Sequence, residues 1–573
     1  MEYKWFRPEN VKSIPEMLEI QVKQRGESTA LIYFGKRISY KILWDLSSRV
    51  ASFIYRSASP TKKHIAIFMP NIPQFAFCYY GTLIARKIAV PINFLSIANE
   101  LRSKPTEQIK ITSEVSDQLK DSQPSIIFVA DFLYPILKQI TMPWTPKIVV
   151  VSPADFLPFP LNLLYGFKAK KEGKYTGPFT DDVLTFKEDV FQSTFLSSKD
   201  LNHPNLSSIA QLQYTGGTTG SPKGVMLTHK NIVSNVLQGR EHLGDLLLDG
   251  NEVTLGALPF FHIYGLTVCL NTALLSLGGS VVLMPSFNPK DAIKIINKYK
   301  VTIFPGVNRM YKALTDQEEL MKKSNLSSLK LCISGAGPID KSICDKFRKL
   351  TGTAIVEGYG LSETSPIVSA TTPKDIDKPR ASKGNLIGTI LPETEIQIID
   401  DDKKNLPAGE IGTILIHGPQ VMHGYYAKPE DTSAVLSEGW FNSGDIGYVD
   451  DQGRLYFVDR AKDIIKRRGE NIYASHIEKI LANCPLVDEI FVIGIPDTKD
   501  GEVPIACIVL KKELGTKTEP QTKTEIMTYI KSSATSLQIP SNILFFKSFD
   551  EFKNPIGKIL KRKLKEDVLK QLS

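Results

Sequence analysis

The sequence predicts an α/β protein with a large N-terminal domain and a small C-terminal domain. Its 573 residues are too many for one hydrophobic core. Before about residue 385, short apolar runs alternate with longer helical patterns, which is typical of βαβ units and largely parallel sheets. Beyond that point, strands of alternating polarity separated by turns predict an antiparallel, barrel-like piece, and a further α/β unit follows it.

The buried strands of the first part are predicted by five apolar runs, each followed by a proline, a glycine or an acidic turn. These are HIAIFM (64–69), SIIFVA (125–130), KIVVV (147–151), VTIFPG (301–306) and LKLCISG (329–335). Apolar residues at helical spacing predict helices at 73–86 and 289–300. This alternation of strand and helix is what favours parallel sheets.

The second part begins with three alternating strands and ends in a small mixed unit. The strands are TEIQIID (394–400), EIGTILIHG (410–418) and GRLYFVDR (453–460). The unit after them is predicted as helix 474–483, strands 487–495 and 503–512, and helix 522–533. We therefore place the N-terminal domain at 1–459 and the C-terminal domain at 460–573.

Composition narrows the class of protein. Hydrophobic residues make up 42% of the chain and charged residues 23%, which excludes disordered and collagen-like classes. The net charge of 70 − 61 = +9 suits anionic small molecules or a membrane surface, and no nucleic-acid motif accompanies it. The six cysteines are scattered without metal spacing, as expected of free thiols in a reducing compartment, so we expect a cytoplasmic protein.

Two apolar regions bear on membranes. From Val253 to Pro289 there is no charged residue, but prolines and glycines divide the run, so a buried core is predicted rather than a spanning helix. Residues 155–205 form an irregular insertion in which DFLPFPLNLLYGF lies beside four lysines. Such a segment is either a loop folded over the protein body or a surface that rests on the inner face of an anionic membrane.

The stretch YTGGTTGSPKG at 214–224 is the first with a chemical meaning. A Gly-rich loop between two strands can turn successive backbone N–H groups toward one anion. Thr215, Thr218 and Thr219 add hydroxyl donors, and Lys223 adds a positive charge. The stretch is not a P-loop, because no GxxxxGK[ST] leads into a helix.

This stretch resembles the signature of the adenylate-forming superfamily, which includes acyl-CoA synthetases, coumarate–CoA ligases, firefly luciferase and peptide-synthetase adenylation domains. The family pattern usually has Ser at the position of Gly216. Gly at this position resembles the long-chain fatty acyl-CoA synthetases. The family's other motifs follow in order and extend the resemblance over nearly the whole chain. They are LPFFHIYG (258–265), SGAGPI (334–339), EGYGLSETSP (357–366), GWFNSGDIGY (439–448), VDRAKDIIKRRGENIY (458–473) and NPIGKILKRKL (554–564).

The resemblance implies a binding site for ATP and AMP. The Gly-rich loop would hold the β- and γ-phosphates, Tyr359 would stack on adenine, and Asp445 with Arg460 would hold the ribose hydroxyls. Ser362 keeps a hydroxyl where the family usually has Thr. The complete set implied for the nucleotide is Thr215, Gly216, Gly217, Thr218, Thr219, Gly220, Lys223, Gly335, Gly358, Tyr359, Gly360, Ser362, Asp445 and Arg460.

The resemblance also implies the groups that carry the chemistry. Lys558 would bridge the attacking carboxylate and the α-phosphate, Glu363 would bind Mg²⁺, and His262 would position the acyl carboxylate. Lys462 and Asp463 resemble the hinge about which the small domain rotates between the two half-reactions, and Gly469 would then line the pantetheine tunnel of CoA.

The implied fold is the adenylate-forming one: two sheet-and-helix subdomains, a small β-barrel and a mobile C-terminal lid. The implied activity is ATP-dependent ligation of a medium- or long-chain fatty acid to CoA, with Mg²⁺, in a monomer or homodimer. Between Glu252 and Asp291 there is no carboxylate to pair with an α-ammonium, which argues against an amino-acid substrate. The alternatives are a fatty acyl-AMP ligase, an aryl or other carboxylic acid–CoA ligase, and a non-catalytic lipid- or nucleotide-binding protein.

Overall fold

In the computed structural model, the chain divides into two compact units, and the division does not follow a single cut in the sequence. The structure describes residues 3–59, 61–95, 113–171, 177, 179, 183–193, 203–215, 222–373, 375, 384–511, 518–553 and 559–572. The first unit comprises Met1–Lys378, Ile387–Glu395 and Ile416–Phe441. The second comprises Pro379–Leu386, Ile396–Leu415 and Asn442–Ser573. The boundary predicted at 459/460 stays a prediction.

The first unit contains two sheets. The strands of its larger sheet are β1 (Thr29–Tyr33), β2 (Lys36–Ser39), β10 (Val253–Gly256), β11 (Ser280–Leu283), β12 (Ile303–Gly306), β13 (Leu331–Ser334), β14 (Ile355–Gly360), β15 (Ile367–Ala370) and β16 (Asn385–Ile390). Their spatial order is β16-β15-β14-β13-β12-β10-β11-β1-β2. From β14 through β13, β12, β10 and β11 to β1, each successive pair of strands is parallel, in keeping with the largely parallel sheets predicted from the sequence.

The second sheet of this unit carries the Gly-rich stretch between two of its strands. Its strands are β3 (His64–Phe68), β4 (Ile88–Pro91), β5 (Ile126–Ala130), β6 (Lys147–Val151), β7 (Leu184–Thr185), β8 (Ile209–Thr215), β9 (Lys223–Thr228) and β19 (Gly424–Tyr425). Their order is β19-β9-β8-β4-β3-β5-β6-β7. β8 and β9 are antiparallel, and their ladder runs from the pair Ile209 and Thr228 to the pair Thr215 and Lys223. A short strand, β20 (Leu436–Ser437), pairs with Trp440 and Phe441.

Helices surround these two sheets. The α-helices are Ile14–Arg25, Tyr40–Ser57, Pro73–Ile84, Ser113–Ser122, Tyr134–Leu137, Leu161–Lys171, His229–Leu243, Pro289–Tyr299, Asn308–Thr315, Glu318–Lys322, Lys341–Thr351 and Pro429–Val435. The 3₁₀ turns are Pro8–Asn10, Asp131–Leu133, Pro153–Phe156, Gly244–Leu246 and Ser362–Thr364, and the π-helical segments are Phe186–Val190 and Gly265–Ser276. The predicted helices at 73–86 and 289–300 are confirmed with slightly shorter bounds.

Local sequence explains where several of these helices begin. Asn288 accepts hydrogen bonds from the first backbone N–H groups of the helix Pro289–Tyr299, whose proline lacks the N–H that a helix start leaves unpaired. Thr228 and Asn231 form a reciprocal cap at the start of the helix His229–Leu243. That helix follows β9 directly, so the cap fixes the exit of the strand that carries Lys223.

The second unit holds two groups of strands. The first is ordered β17 (Glu395–Ile399), β18 (Gly412–His417), β21 (Trp440–Val449), β22 (Arg454–Arg460). The other has β23 (Ile464–Arg467), β24 (Glu470–Tyr473), β25 (Val487–Asp497), β26 (Gly501–Leu510) and β27 (Asn542–Phe546), in the order β24-β23-β26-β25 with β27 beside β26. Its helices are Ala474–Ala482, Glu519–Lys531 and Lys561–Leu572, with 3₁₀ turns Ala461–Asp463 and Asp550–Phe552.

The uncharged stretch from Val253 to Pro289 is buried core, as predicted. Ten of the twelve residues of Gly265–Ser276 are buried. Along the chain, this segment connects β10 to β11. Among the described residues, no helix combines the length and the apolarity that crossing a bilayer requires.

Candidate functional site

The β8–β9 hairpin brings Thr215 and Lys223 opposite each other. They are paired at the end of the antiparallel ladder, directly before and shortly after the Gly-rich loop. Five of the implied phosphate-binding residues, Gly216, Gly217, Thr218, Thr219 and Gly220, lie outside the described residues. The structure therefore describes the residues that flank the loop. Thr215 contributes a hydroxyl on β8, and Lys223 contributes an ammonium on β9.

Lys223 contacts an anion and an aromatic ring of its own unit. Its Nζ lies 2.7 Å from Asp431 Oδ1, at the start of the helix Pro429–Val435, and 5.0 Å from the centre of the Tyr425 ring. The hydrogen bond from Lys223 lowers the pKa of the Asp431 carboxyl below its ordinary value. Because both side chains of the ion pair are partly exposed, the pair is weak, and an incoming phosphate can replace the carboxylate.

Glu363 lies in the 3₁₀ turn Ser362–Thr364 and is also in contact with Tyr425. The Tyr425 hydroxyl donates to Glu363 Oε1 at 2.9 Å, and the backbone N–H of Met422 donates to the Glu363 carbonyl at 2.8 Å. Burial, and then the Glu363 carboxylate, raise the pKa of the Tyr425 phenol well above its ordinary value, so the hydroxyl remains a donor. Tyr425 thus connects the cation of the Gly-rich stretch to the carboxylate implied to bind Mg²⁺.

The short strand β19 fixes the position of Tyr425. It pairs with β9 so that Tyr425 lies opposite Val225, two residues beyond Lys223. The Tyr426 N–H donates to the Gly224 carbonyl at 2.8 Å, and the Tyr425 N–H donates to Thr432 Oγ1 at 2.9 Å. Tyr425 and Asp431 lie in the stretch HGYYAKPED (423–431), which belongs to none of the motifs that carry the resemblance.

The ends of β13 and β14 carry several of the residues that the resemblance assigns to nucleotide binding. These strands are parallel neighbours, so Gly335 and the stretch Gly358–Gly360 meet at the carboxyl edge of the sheet. A Cβ on Gly335 would lie 3.0 Å from the Tyr264 ring, and one on Gly360 would lie 1.7 Å from the Pro366 carbonyl oxygen. A side chain is therefore excluded at Gly360 and crowded at Gly335. Tyr359 is half-buried on the same strand end, where it pairs with Ser369.

His262 is half-buried in the segment that leads into the buried π-helix. Its Nδ1 accepts from the backbone N–H of Tyr264 at 3.2 Å, which places the proton of a neutral ring on Nε2. The preceding residue is held to β8, because the Gln213 side chain donates to the Phe261 carbonyl at 2.8 Å. His262 is therefore tied to the same hairpin as Thr215 and Lys223.

In the second unit, Asp445 and Arg460 lie opposite each other on the antiparallel strands β21 and β22. Arg460 Nε is 3.4 Å from Asp445 Oδ1, and Asp445 is only 2% exposed. The backbone N–H of Asp445 donates to Ser443 Oγ at 3.1 Å. A buried carboxylate next to a guanidinium can accept from a diol while the arginine balances its charge.

The implied hinge residues follow β22 at once, in the 3₁₀ turn Ala461–Asp463. Partial desolvation, and then the Arg460 guanidinium, lower the pKa of Lys462 from its ordinary value. Asp463 Oδ2 lies 3.8 Å from Lys561 Nζ, which also contacts Glu478 Oε1 at 3.1 Å. Gly469 sits in the β23–β24 hairpin with φ +82°, a conformation that favours glycine. Lys558 lies outside the described residues.

At the place where the resemblance implies Mg²⁺, the structure describes one carboxylate, that of Glu363. Within the described part of the chain, no group of three or more His, Cys, Asp or Glu side chains is arranged to hold a metal ion. Mg²⁺ keeps several waters and is usually bound through one or two carboxylates plus substrate phosphates. One carboxylate, held at 2.9 Å by a tyrosine hydroxyl, is consistent with that mode of binding.

Comparison with protein families gives two matches along this chain. The AMP-binding enzyme family matches residues 18–426, and the AMP-binding enzyme C-terminal domain matches residues 476–557. The first match includes the Gly-rich stretch, His262, Gly335, Glu363 and Tyr425.

Individual proteins match over nearly the whole chain. A long-chain-fatty-acid–CoA ligase of Bacillus subtilis is 36% identical over 97% of this chain and 94% of the relative. One from Haemophilus influenzae is 32% identical over 97% of this chain and 95% of the relative. Among solved structures, ATP-bound MatB from Rhodopseudomonas palustris superimposes with a TM-score of 0.79 at 23% identity, covering 97% of this chain and 99% of that one.

Proposed function

Because the chain belongs to the AMP-binding enzyme family, we propose that it is a long-chain fatty acid–CoA ligase that forms AMP. In the first half-reaction a fatty carboxylate attacks the α-phosphate of ATP, which gives acyl-adenylate and pyrophosphate. In the second, the CoA thiolate attacks the acyl carbon and releases AMP. Activation as a mixed anhydride divides one difficult acyl transfer into two easier steps.

The observation that carries this proposal is the contact between Tyr425 and both Lys223 and Glu363. Through this tyrosine, the ammonium of Lys223, which follows the Gly-rich stretch in the sequence, and the carboxylate of Glu363 are held near each other, which supports roles for them in binding phosphate and Mg²⁺. An Mg²⁺ ion at Glu363 would neutralise charge on the departing pyrophosphate, and Lys223 would add a donor. The names of the bacterial relatives support a fatty acid as the carboxylate substrate.

The remaining sites are part of the same proposal. Asp445 and Arg460 bind the ribose diol, Tyr359 stacks on adenine and His262 positions the acyl carboxylate. Lys558 bridges carboxylate and α-phosphate, Lys462 and Asp463 form the hinge, and Gly469 lines the passage for pantetheine. The cosubstrates are ATP and CoA, and the metal is Mg²⁺.

The direct test is a panel of carboxylic acids assayed for CoA-dependent release of AMP. We expect acids of long chain length to be used best, and several lengths to be accepted, since one methylene changes discrimination by only about 1–3 kcal/mol. Preference for coumarate or another aryl acid would favour the alternative suggested by a 29% identical 4-coumarate–CoA ligase 1 of Petroselinum crispum. Acyl-adenylate that persists in the presence of CoA would indicate a fatty acyl-AMP ligase.

Tyr425→Phe is expected to raise the Mg²⁺ concentration for half-maximal adenylation by about tenfold. The change removes only the hydroxyl that donates to Glu363, and a hydrogen bond to a charged group contributes roughly 1.5 kcal/mol. Magnesium titrations of pyrophosphate release measure the shift, with Tyr426→Phe as the matched control on the neighbouring residue. An unchanged magnesium dependence would remove Tyr425 from the positioning of Glu363.

Lys462→Pro is expected to uncouple the two half-reactions. Proline fixes φ near −65° and restricts the preceding residue, so a backbone position that must rotate becomes stiff. Adenylate should still form while thioester output falls, and the retained first half-reaction shows that the variant is folded. Unchanged turnover of the full reaction would locate the hinge elsewhere in the chain.

The proposal includes a cytoplasmic location with reversible association to the inner face of the membrane. Long-chain fatty acids have apolar chains that partition into bilayers, so an enzyme that consumes them gains from proximity to the lipid. Whether the protein works as a monomer or a homodimer is measured by light scattering of the purified chain.

A further inference from the structure

Exposed apolar side chains are concentrated in one short segment of the first unit. Among the described residues, thirteen large hydrophobic side chains are exposed, and five of these lie between residues 159 and 167. The exposed fractions reach 79% at Phe159, 64% at Leu163, 51% at Leu164 and 79% at Phe167. Apolar side chains scattered singly over a surface are ordinary, whereas a contiguous group of this kind marks an interaction site.

The inner side of the helix Leu161–Lys171 is held to the protein body. The Tyr165 hydroxyl donates to Asp131 Oδ1 at 2.9 Å, and Asp131 is itself buried. Ala169, one helical turn further on, is 2% exposed. Tyr165 and Ala169 therefore define the face that packs on the body, so the exposure of the apolar residues does not reflect a detached helix.

The outer side of the helix exposes large apolar side chains, which is unusual for a surface helix. With about 100° of rotation per residue, Leu163 and Phe167 lie on the side opposite Tyr165 and Ala169. A helix on the surface of a soluble protein normally turns its charged residues outward. The apolar area of Leu163 and Phe167 would be buried only if another molecule or a membrane covered this side of the helix.

Positive charge accompanies this apolar face. Lys170 and Lys171 are exposed, lie near Phe167 on the same side of the helix, and belong to the last turn of a helix that contains no acidic residue. An apolar face with flanking lysines matches a bilayer with anionic headgroups, into which the apolar residues insert while the ammonium groups meet phosphate. Eleven residues give a helix of roughly 16 Å, which lies along a surface and does not cross it.

We propose that residues 159–171 are a docking surface for an anionic lipid bilayer. The choice of a bilayer as the partner rests on the proposed function, because the substrate of a fatty acid–CoA ligase resides there. Docking places the first unit against the lipid through Leu163, Leu164 and Phe167, with Lys170 and Lys171 supplying attraction that salt weakens.

Cosedimentation with vesicles tests the proposal. The full-length protein is mixed with phosphatidylcholine vesicles that contain or lack phosphatidylglycerol, at low and high salt. We expect binding to the anionic vesicles at low salt and its loss at high salt. The variants Leu163→Ser/Phe167→Ser and Lys170→Glu/Lys171→Glu should each lower the partition coefficient by about tenfold or more, whereas the exposed pair Lys294→Glu/Lys298→Glu on another helix should bind as the parent does.

Three results would overturn the docking surface. One is a parent protein that ignores anionic vesicles at low salt, and another is unchanged binding by both segment variants. The third is a change of oligomeric state in Leu163→Ser/Phe167→Ser without vesicle binding by the parent, which would make the face an interface between copies. Turnover of a soluble short acid is measured in all variants. Because vesicle binding does not need catalysis, this assay separates failure of the docking surface from failure of the proposed function.

Discussion

Lys558→Ala is expected to abolish formation of acyl-adenylate while leaving conversion of preformed acyl-adenylate and CoA to thioester nearly unchanged. Lys558 stands in NPIGK (554–558), the stretch that resembles the family's catalytic lysine motif. Its ammonium would stabilise negative charge that grows between the carboxylate and the α-phosphate only in the first half-reaction. Loss of one such preorganised donor costs on the order of 10²–10³ in rate.

The two half-reactions are measured separately, the first by pyrophosphate release without CoA and the second by thioester formation from synthetic acyl-adenylate. Lys547→Ala, an exposed lysine of the same unit, is the matched control and should leave both rates unchanged. Lys558→Arg keeps the charge and should recover part of the first rate if electrostatics dominate. Equal loss of both half-reactions in Lys558→Ala would contradict the assigned role.

Strands that are buried along their whole length are the easiest to predict from the sequence. Runs such as HIAIFM and SIIFVA are confirmed as β3 and β5, because residues buried on both faces of a parallel sheet leave an uninterrupted apolar signal. The adenylate-forming fold is confirmed by the family match and by the solved structures. The π-helical form of Gly265–Ser276 was not predicted, because an apolar run carries no period from which its winding could be read.

In the insertion at residues 155–205, the local sequence predicts where a helix can begin but not which side of that helix is buried. Pro158 and Pro160 disfavour a regular helix before residue 161, and the helix begins directly after them at Leu161. The exposure of Leu163 and Phe167 could not be foreseen, because the sequence does not show which side of a helix meets Asp131. Packing partners far away in the chain decide that.

The same limit applies to the site. The motif residues were identified one by one from resemblance, and their roles stay predictions. The structure adds that Thr215 faces Lys223 and that Asp445 faces Arg460 across antiparallel ladders. Tyr425 was missed because its contact with Glu363 spans 62 residues and depends on β19, a strand of two residues. No local period marks so short a strand.

Glu363→Gln is expected to lower the rate of adenylation by about 10²-fold or more and to raise the concentration of Mg²⁺ needed. The substitution keeps the shape of the side chain, and an amide oxygen can still accept from the Tyr425 hydroxyl 2.9 Å away. It removes the negative charge that would hold a hard cation against the β- and γ-phosphates, and a metal at that place stabilises the transition state by several kcal/mol.

Magnesium titrations of pyrophosphate release give the rate and the metal dependence together, and calorimetric titration of Mg·ATP gives binding without turnover. Glu430→Gln, an exposed carboxylate beside Asp431, is the matched control and should leave both unchanged. Because Tyr425→Phe and Glu363→Gln act on one contact, the double variant should be no worse in magnesium dependence than Glu363→Gln alone. Additive losses would mean that Tyr425 acts through Lys223, whose ammonium lies 5.0 Å from its ring, and not through the carboxylate.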